Sequence, residues 1–423
     1  MDTIIEFDIP QDRSANLIKV IGVGGGGGNA VENMYKQGVC DVSFAVCNTD
    51  SQALVRSSVP VRIQLGEEGL GVGGKPEKGK QAAEESIGEL RRLFDDETEM
   101  VFVTAGMGGG TGTGAGPVIA GIAKEMGKLT VGIVTIPFAF EKKVRIQKAL
   151  QGVEMMRENV DALLVINNER LRDIYDDGIT TVEQGFSKAD EVLTVATKSI
   201  AEIITIKGIV NRDFCDVHTV MKDGGSAIMS TGRASGEHRL EKAMYEALKS
   251  PLLDNVDIEK SQKLLYIIYS CDDCPVTMSE ITDVNNFMDS LSSDIEVLWG
   301  LYRDNTLGED VKVTIIATGF DRMDAELPDK KTDDVKQERL NELMEYYYGK
   351  KKKVSSVEDS KPEPEPELEP EPIPEPGTEP ETETGFDSDS EPIVDPIVTP
   401  PIGTSWLERL KTLLENTMGD TFD

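Results

Sequence analysis

Two glycine runs, each lying directly after an apolar strand-like segment and before a helix-like one, restrict the architectures open to this chain. The first, Gly22-Val23-Gly24-Gly25-Gly26-Gly27-Gly28-Asn29, follows Leu17-Ile18-Lys19-Val20-Ile21. The second runs from Ala105 to Pro117, follows Met100 to Thr104, and contains Gly108-Gly109-Gly110-Thr111-Gly112-Thr113-Gly114. Glycine admits positive φ and lets backbone N–H groups approach an anion, and the N-terminus of a following helix adds partial positive charge. Each run therefore reads as a phosphate cradle, with the Thr111 and Thr113 hydroxyls as further donors. The pattern predicts the two following helices from Ala30 to Gln37 and from near Pro117. Gly22, Gly24 and Gly27 also fit G-x-G-x-x-G, with Asp50 placed 22 positions after Gly28 as in a dinucleotide-binding fold. No G-x-x-x-x-G-K-[ST] motif occurs. A second phosphate-facing loop exceeds what a nicotinamide fold requires, and its threonines suit a triphosphate.

Apolar runs at 17–21, 42–47, 61–65, 100–104, 130–136 and 162–166 alternate with helix-like stretches. This is the α/β pattern of a mostly parallel sheet covered on both faces, with ligands at the carboxyl ends of the strands. From Thr181 to Ile206 the residues Phe186, Ala189, Val192, Val195, Ala196, Ile200, Ile203 and Ile204 recur at helical spacing without proline, which predicts one long buried helix. Beyond it, Ser226–Thr231, Leu264–Ser270, Ile295–Tyr302 and Val311–Thr318 read as strands, with helices at Glu237–Lys249 and Thr277–Leu291, giving a smaller α/β domain with a mixed sheet. A further helix is predicted over Lys336–Tyr348.

Between Glu358 and Pro400 there are 15 Asp and Glu against one Lys, a net of −14 within the chain's −33. Twelve of the 20 prolines lie between Pro362 and Pro401. Such a segment buries too little apolar surface to offset its ordering entropy, so it is expected to be a disordered, self-repelling acidic tether. The chain thus divides into an N-terminal extension (1–14), a nucleotide domain (15–180), a central helix with an acid-bearing turn (181–219), a second domain (220–320), a variable link with the Pro/Glu-rich tether (321–403) and a C-terminal peptide (404–423).

The net charge argues against nucleic-acid binding, which needs clustered Lys and Arg. No run of about 18 apolar residues is present, and the acidic stretch Met1 to Asp12 does not read as a signal peptide, so a cytoplasmic location is expected. Five cysteines without framework spacing fit reduced thiols, and Cys271-Asp272-Asp273-Cys274 lacks the second pair of a tetrahedral zinc site.

The segment Gly108–Gly114 resembles the signature of FtsZ, the bacterial cell-division relative of tubulin, and the resemblance runs from about Ala15 to Phe320. Further matches are Asn48-Thr49-Asp50-Ser51-Gln52-Ala53-Leu54, Gly69–Pro76, Thr135-Ile136-Pro137-Phe138 with Glu141 and Arg145, and Asn211-Arg212-Asp213-Phe214-Cys215-Asp216-Val217. The family implies a tubulin-like fold, GTP hydrolysis and self-assembly. Carried over residue by residue, GTP contacts fall on Gly24, Gly25, Gly26, Gly27, Gly28, Asn29, Asn48, Gly74, Gly108, Gly109, Gly110, Thr111, Gly112, Thr113, Gly114, Thr135 and Pro137. Arg145 would meet phosphate and Glu141 the ribose or water. Asn168 would lie near the base or ribose, Phe186 would stack on the base, and the Asp190 carboxylate would accept from the paired N–H donors of guanine. Related chains commonly carry Pro-Asn-Asp where this one has Asn167-Asn168-Glu169.

Asp213 and Asp216, three apart, share a face of a helical turn. The resemblance makes them, with Asn211, the groups that place the attacking water. If the span is mostly helical, Phe186 and Asn211 are separated by roughly 37 Å, much longer than a nucleotide. One subunit could not then supply both ends of one site, and a head-to-tail filament would be needed to join them. Mg²⁺ is expected to travel with the phosphates, without a dedicated protein site.

The tail departs from the family, whose members commonly end in a short peptide that binds membrane adaptors. Here Trp406, Leu407, Leu410, Leu413, Leu414 and Met418 fall on one helical face, an arrangement suited to folding on a partner groove with Trp406 as anchor. The membrane would be reached only indirectly. The sequence alone leaves two rivals: a nucleotide-binding filament scaffold without hydrolysis, and an NAD-dependent oxidoreductase.

Overall fold

A computed structural model of the chain describes residues 17–39, 41–175, 181–205, 208–210, 214–250, 258–282, 284, 295–320 and 333–348. The extension, the tether, the C-terminal peptide and the pair Asn211 and Asp213 lie outside the described residues.

All six apolar runs of the first half form strands: β1 Ile18–Val23, β2 Val42–Asn48, β3 Val61–Gln64, β4 Met100–Gly106, β5 Leu129–Ile136 and β6 Ala162–Asn167. They are parallel throughout, in the order β3-β2-β1-β4-β5-β6. Their side chains alternate between two cores. Ile18, Val20, Phe44, Met100, Phe102, Val131 and Ile133 face one side; Ile21, Val23, Ala45, Val101, Val103, Ala105 and Val134 face the other. Both faces are apolar because helices cover both, as parallel connections require.

The helices of this half are α1 Gly24–Lys36, α2 Ser51–Arg56, α3 Pro76–Glu85, α4 Ile87–Leu93, α5 Thr111–Glu125, α6 Lys143–Glu158 and α7 Asn168–Tyr175. The long helix, α8 Val182–Thr205, lays Ala189, Leu193, Ala196, Ile200 and Ile203 into the first core. Each of its buried Leu and Ile side chains contributes about 1.5–3 kcal/mol. It is followed by α9 Phe214–Met221.

The second half supplies β7 Gly225–Ala234, α10 Arg239–Leu248, β8 Lys263–Ser270, β9 Glu296–Arg303 and β10 Val311–Thr318. Its pairings are mixed: β7·β10 and β10·β8 are antiparallel, β8·β9 parallel. These strands do not form a separate sheet. β7 pairs in parallel with β6 through Ala162↔Gly225, Leu163↔Ser226 and Leu164↔Ala227, which makes one ten-stranded sheet. Asp161 secures this seam. Its buried carboxylate accepts from the Thr130 N–H (2.9 Å) and from Lys222 Nζ (2.8 Å), and its carbonyl accepts from Gly225 N–H (3.0 Å).

Of the helix predicted over Thr277–Leu291, residues 278–282 are helical and most of the remainder lies outside the described residues. The last helix, α11 Asp333–Tyr348, returns to the first half, where Leu340 and Leu343 pack on Ile146 and Leu150 of α6.

Candidate functional site

Strand order reverses at β1, which pairs with β2 on one side and β4 on the other. Open α/β sheets bind ligands at such a point, outside the carboxyl ends of the strands. Both glycine runs emerge there side by side, because Val23 is in register with Ala105.

Each run enters its helix earlier than sequence reading predicts. α1 begins at Gly24 rather than Ala30, and α5 at Thr111 rather than near Pro117. Glycine is a poor helix former, but packing here excludes any side chain. A Cβ on Gly27 would lie 2.1 Å from the Thr104 carbonyl oxygen, one on Gly112 2.6 Å from that of Gly106, and one on Gly114 1.9 Å from that of Pro76 in α3. Gly24 has φ +72 and presses on Gly112, and Gly110 abuts Val72 and the Lys75 amide.

Other glycines of the same runs face free space. A Cβ on Gly25, Gly28 or Gly109 would meet nothing within 4 Å, and the same holds for Gly74 in the separate Gly69–Pro76 segment. Neither α1 nor α5 has a side-chain cap or an acid in its first turn, so their leading N–H groups are left for an anion. Gly26 and Asn29 lie on the exposed side of the α1 start.

The two threonines of the second run divide their work. Thr113 is fully buried, and its Oγ1 accepts from the Gly108 N–H (2.9 Å), so its hydroxyl braces the loop instead of facing a phosphate. Thr111 Oγ1 lies 2.7 Å from Thr49 Oγ1. Thr49 is a residue that sequence reasoning missed; its place in the Asn48-Thr49-Asp50 segment was the available signal. Asn48 Oδ1 accepts from the Asp50 N–H (3.2 Å), and Asp50 in turn caps α2 by accepting from the Gln52 N–H (2.9 Å). The acid that an NAD-dependent reading would assign to a ribose is therefore engaged in holding a helix start.

The loop after β5 connects this cradle to the start of α8. Thr135 stands at the strand terminus, and its carbonyl accepts from Met107 N–H (2.9 Å). Pro137 and the stem of Arg145 pack where a Cβ on Gly108 would be, at 3.2 and 2.9 Å. Glu141 accepts from the Phe138 N–H (3.0 Å) and pairs with Arg145 (2.7 Å). The next ring, Phe138, meets Phe186 of α8 edge-on, with centroids 5.2 Å apart. Phe186 is 41% exposed, an uncovered aromatic surface beside the loop.

Two polar groups at this end lack partners among the described residues. Asn168 is buried with its Oδ1 unsatisfied, a cost that a ligand hydroxyl or N–H would relieve. Burial pushes the Asp190 carboxyl up to about 6, and no cation offsets it. A carboxylate in that state gains from two neutral N–H donors presented by a ligand. Glu169, by contrast, is occupied: its Oε2 accepts from the Ala139 N–H (2.8 Å) and its Oε1 pairs with Arg172 (2.7 Å).

Of the acid-bearing segment, Asp216 is described, past the other end of α8. Asp216 is in the first turn of α9, while Asn211 and Asp213 fall outside the described residues. The described part of α8 runs to Thr205, and Ile209 and Val210 run alongside Leu301 of β9. From Phe186 to Thr205 the rise is therefore roughly 28 Å, shorter than an unbroken helix to Asn211 would give. Among the described residues no group of three or more His, Cys, Asp or Glu could hold a metal ion. Cys47, Cys215, Cys271 and Cys274 are free thiols, and burial pushes Cys47 up to about 12.

The family model for the Tubulin/FtsZ family GTPase domain matches residues 17–176, and that for the FtsZ family C-terminal domain matches residues 225–321. A curated relative, "Cell division protein FtsZ" of Porphyromonas gingivalis (strain ATCC BAA-308 / W83), is 54% identical over 324 residues, covering 76% of this chain and 70% of its own. The chain belongs to the FtsZ family. It is a tubulin-like GTPase of the cell-division cytoskeleton that binds GTP and GDP, which sets aside both the oxidoreductase and the non-hydrolysing scaffold. Among solved structures, "FtsZ dimer, empty (M. jannaschii)" is similar at 39% identity and TM-score 0.66, over 72% of this FtsZ-family chain and 88% of that one. "CetZ2 from Haloferax volcanii - GTPgS bound protofilament", at 19% identity and TM-score 0.62 over 78% and 98%, shares the fold.

Proposed function

We propose that GTP lies along the crevice from the two glycine loops to Phe186 and Asp190, and that hydrolysis needs Asp213, Asp216 and Asn211 of a second copy. Amides within residues 24–28 and 109–113 hold phosphate oxygens, those of Gly108 and Gly114 being taken by Thr113 Oγ1 and the Gly110 carbonyl, with Thr111, Gly74 and Arg145 at the rim. Asn168 and Glu141 take the ribose side, and Asp190 reads guanine. Mg²⁺ would be held by the phosphates rather than by protein side chains, and would supply neutralisation of the charge developing in phosphoryl transfer. In domain terms, residues 15–180 bind the nucleotide, 181–219 span the subunit, and 220–320 carry the face met by the next copy.

The observation that carries this reading is the separation along α8. A base-contacting face near Phe186 and an acid turn beyond Thr205 stand at opposite ends of a helix section that rises roughly 28 Å. A head-to-tail contact brings the two ends together and grows into an open filament. The relative solved as a dimer agrees with self-association. On this reading the protein works in the cytoplasm, at the mid-cell division site beneath the membrane. Its C-terminal peptide, with Trp406, Leu407, Leu410, Leu413 and Leu414 on one face, recruits a membrane adaptor and other division proteins.

GTPase rate per molecule, measured against protein concentration, tests the shared site. The expected result is a threshold below which turnover collapses, with Asp213→Ala keeping GTP affinity and losing hydrolysis about a hundredfold or more. Equal specific activity in dilute, monomeric protein would refute it.

A further inference from the structure

We infer that the end of α11 sets the geometry of the nucleotide loop, with Tyr348 as a positioning residue for GTP. This rests on the site reading above and deepens it. Tyr348 donates its hydroxyl to the Pro137 carbonyl at 2.6 Å, and the Tyr347 carbonyl accepts from Asn167 Nδ2 at 2.7 Å. Asn167 Oδ1 accepts from the Glu169 N–H (3.0 Å), and Glu169 accepts from the Ala139 N–H (2.8 Å). A ring of hydrogen bonds thus grips the loop on both sides, at Pro137 and at Ala139.

That loop carries what the site needs. Pro137 packs against Gly108, Phe138 meets Phe186, and Glu141 holds Arg145. Asn167 and Glu169 are both members of the ring. The rest of α11 is fastened independently by Leu340 and Leu343 on α6, so removing one hydroxyl leaves the helix docked. Buried Pro137 loses its partner when that hydroxyl goes, and the loop relaxes to recover one.

The test compares wild-type protein with Tyr348→Phe, using GTP titration calorimetry below the assembly threshold and steady-state phosphate release. Tyr348→Phe should weaken GTP binding and raise KM by about three- to tenfold, with kcat at saturating GTP unchanged and the same thermal midpoint within error. Asn167→Ala should act in the same direction, and the double variant should lose less than the product of the two single losses, since both break one ring. Leu343→Asp, which undocks the helix, should reproduce the affinity loss. Affinity unchanged in Tyr348→Phe while Leu343→Asp weakens binding would overturn the role of the hydroxyl, and affinity unchanged in both would overturn the inference entirely. Wild-type protein that binds no GTP would instead overturn the underlying site reading.

Discussion

The two halves of the single sheet treat their loops in opposite ways. In the second half, loops close on themselves: buried Arg239 donates to Glu280 (2.7 Å), to the Glu309 carbonyl (2.7 Å) and to those of Cys274 and Pro275. Lys312 and Arg303 likewise pair with Asp304 and Asp272 across neighbouring loops. In the first half, the carboxyl edge leaves helix starts uncapped, Asn168 Oδ1 without a partner, Phe186 partly bare and Asp190 without a cation. These loops of the second half spend polar groups on stability, and on the proposed reading the carboxyl edge of the first half holds them open for a ligand.

The sharpest way to break this contrast uses two glycines of one run. Gly27→Ala places a methyl 2.1 Å from a backbone oxygen and should cost more than about 3 kcal/mol in urea unfolding. Gly25→Ala meets nothing and should change stability by less than about 1 kcal/mol, yet reduce GTP affinity by about tenfold or more. Native-like GTP binding by Gly25→Ala would remove that glycine from the cradle. Next in size, Arg239→Ala should destabilise by about 2–3 kcal/mol while leaving GTP affinity untouched, since its bonds stay within the second half. A change in affinity would mean that the halves are coupled more tightly than their separate loops suggest.

The smallest effect concerns Asp190 and has a defined sign. Its carboxyl is raised by burial to about 6, so the native state keeps a proton that the unfolded chain has lost, and stability falls as pH rises from about 4 to about 6. Asp190→Asn should therefore raise stability of the nucleotide-free protein by about 1–2 kcal/mol at pH 7.5, with little difference near pH 4. The same variant should bind GTP more weakly at pH 7.5, whereas wild-type affinity declines by up to about tenfold per pH unit below about 6. Thermal midpoints and GTP titrations across pH 4–8 check both slopes, and a flat wild-type affinity would detach Asp190 from the base.

Sequence made the parallel strands plain because each is a short apolar run ending in turn residues, a local signal. It also placed the glycine loops at the correct edge. It put the starts of α1 and α5 six residues late in each case, since glycine's low helix propensity hides a packing constraint that only the neighbours β4 and α3 impose. The joining of β6 to β7 rests on three residue pairs far apart along the chain, which no periodicity announces. At the proposed site, Phe186 and Asp190 were named through family resemblance, and the structure adds the exposure of the one and the burial of the other. The inward turn of the Thr113 hydroxyl, the capping duty of Asp50 and the grip of Tyr348 on Pro137 depend on tertiary partners and were not.

Where a wall is made of main chain pressed against main chain, mutation has nothing to adjust. At Gly27, Gly112 and Gly114 even one added carbon collides with a peptide oxygen, so the floor of the crevice tolerates almost no variation in composition. On the proposed reading, any retuning of affinity or base preference must then come from the opposite rim, where Phe138, Asn168, Phe186 and Asp190 offer replaceable atoms. The pocket has a fixed floor and an editable ceiling.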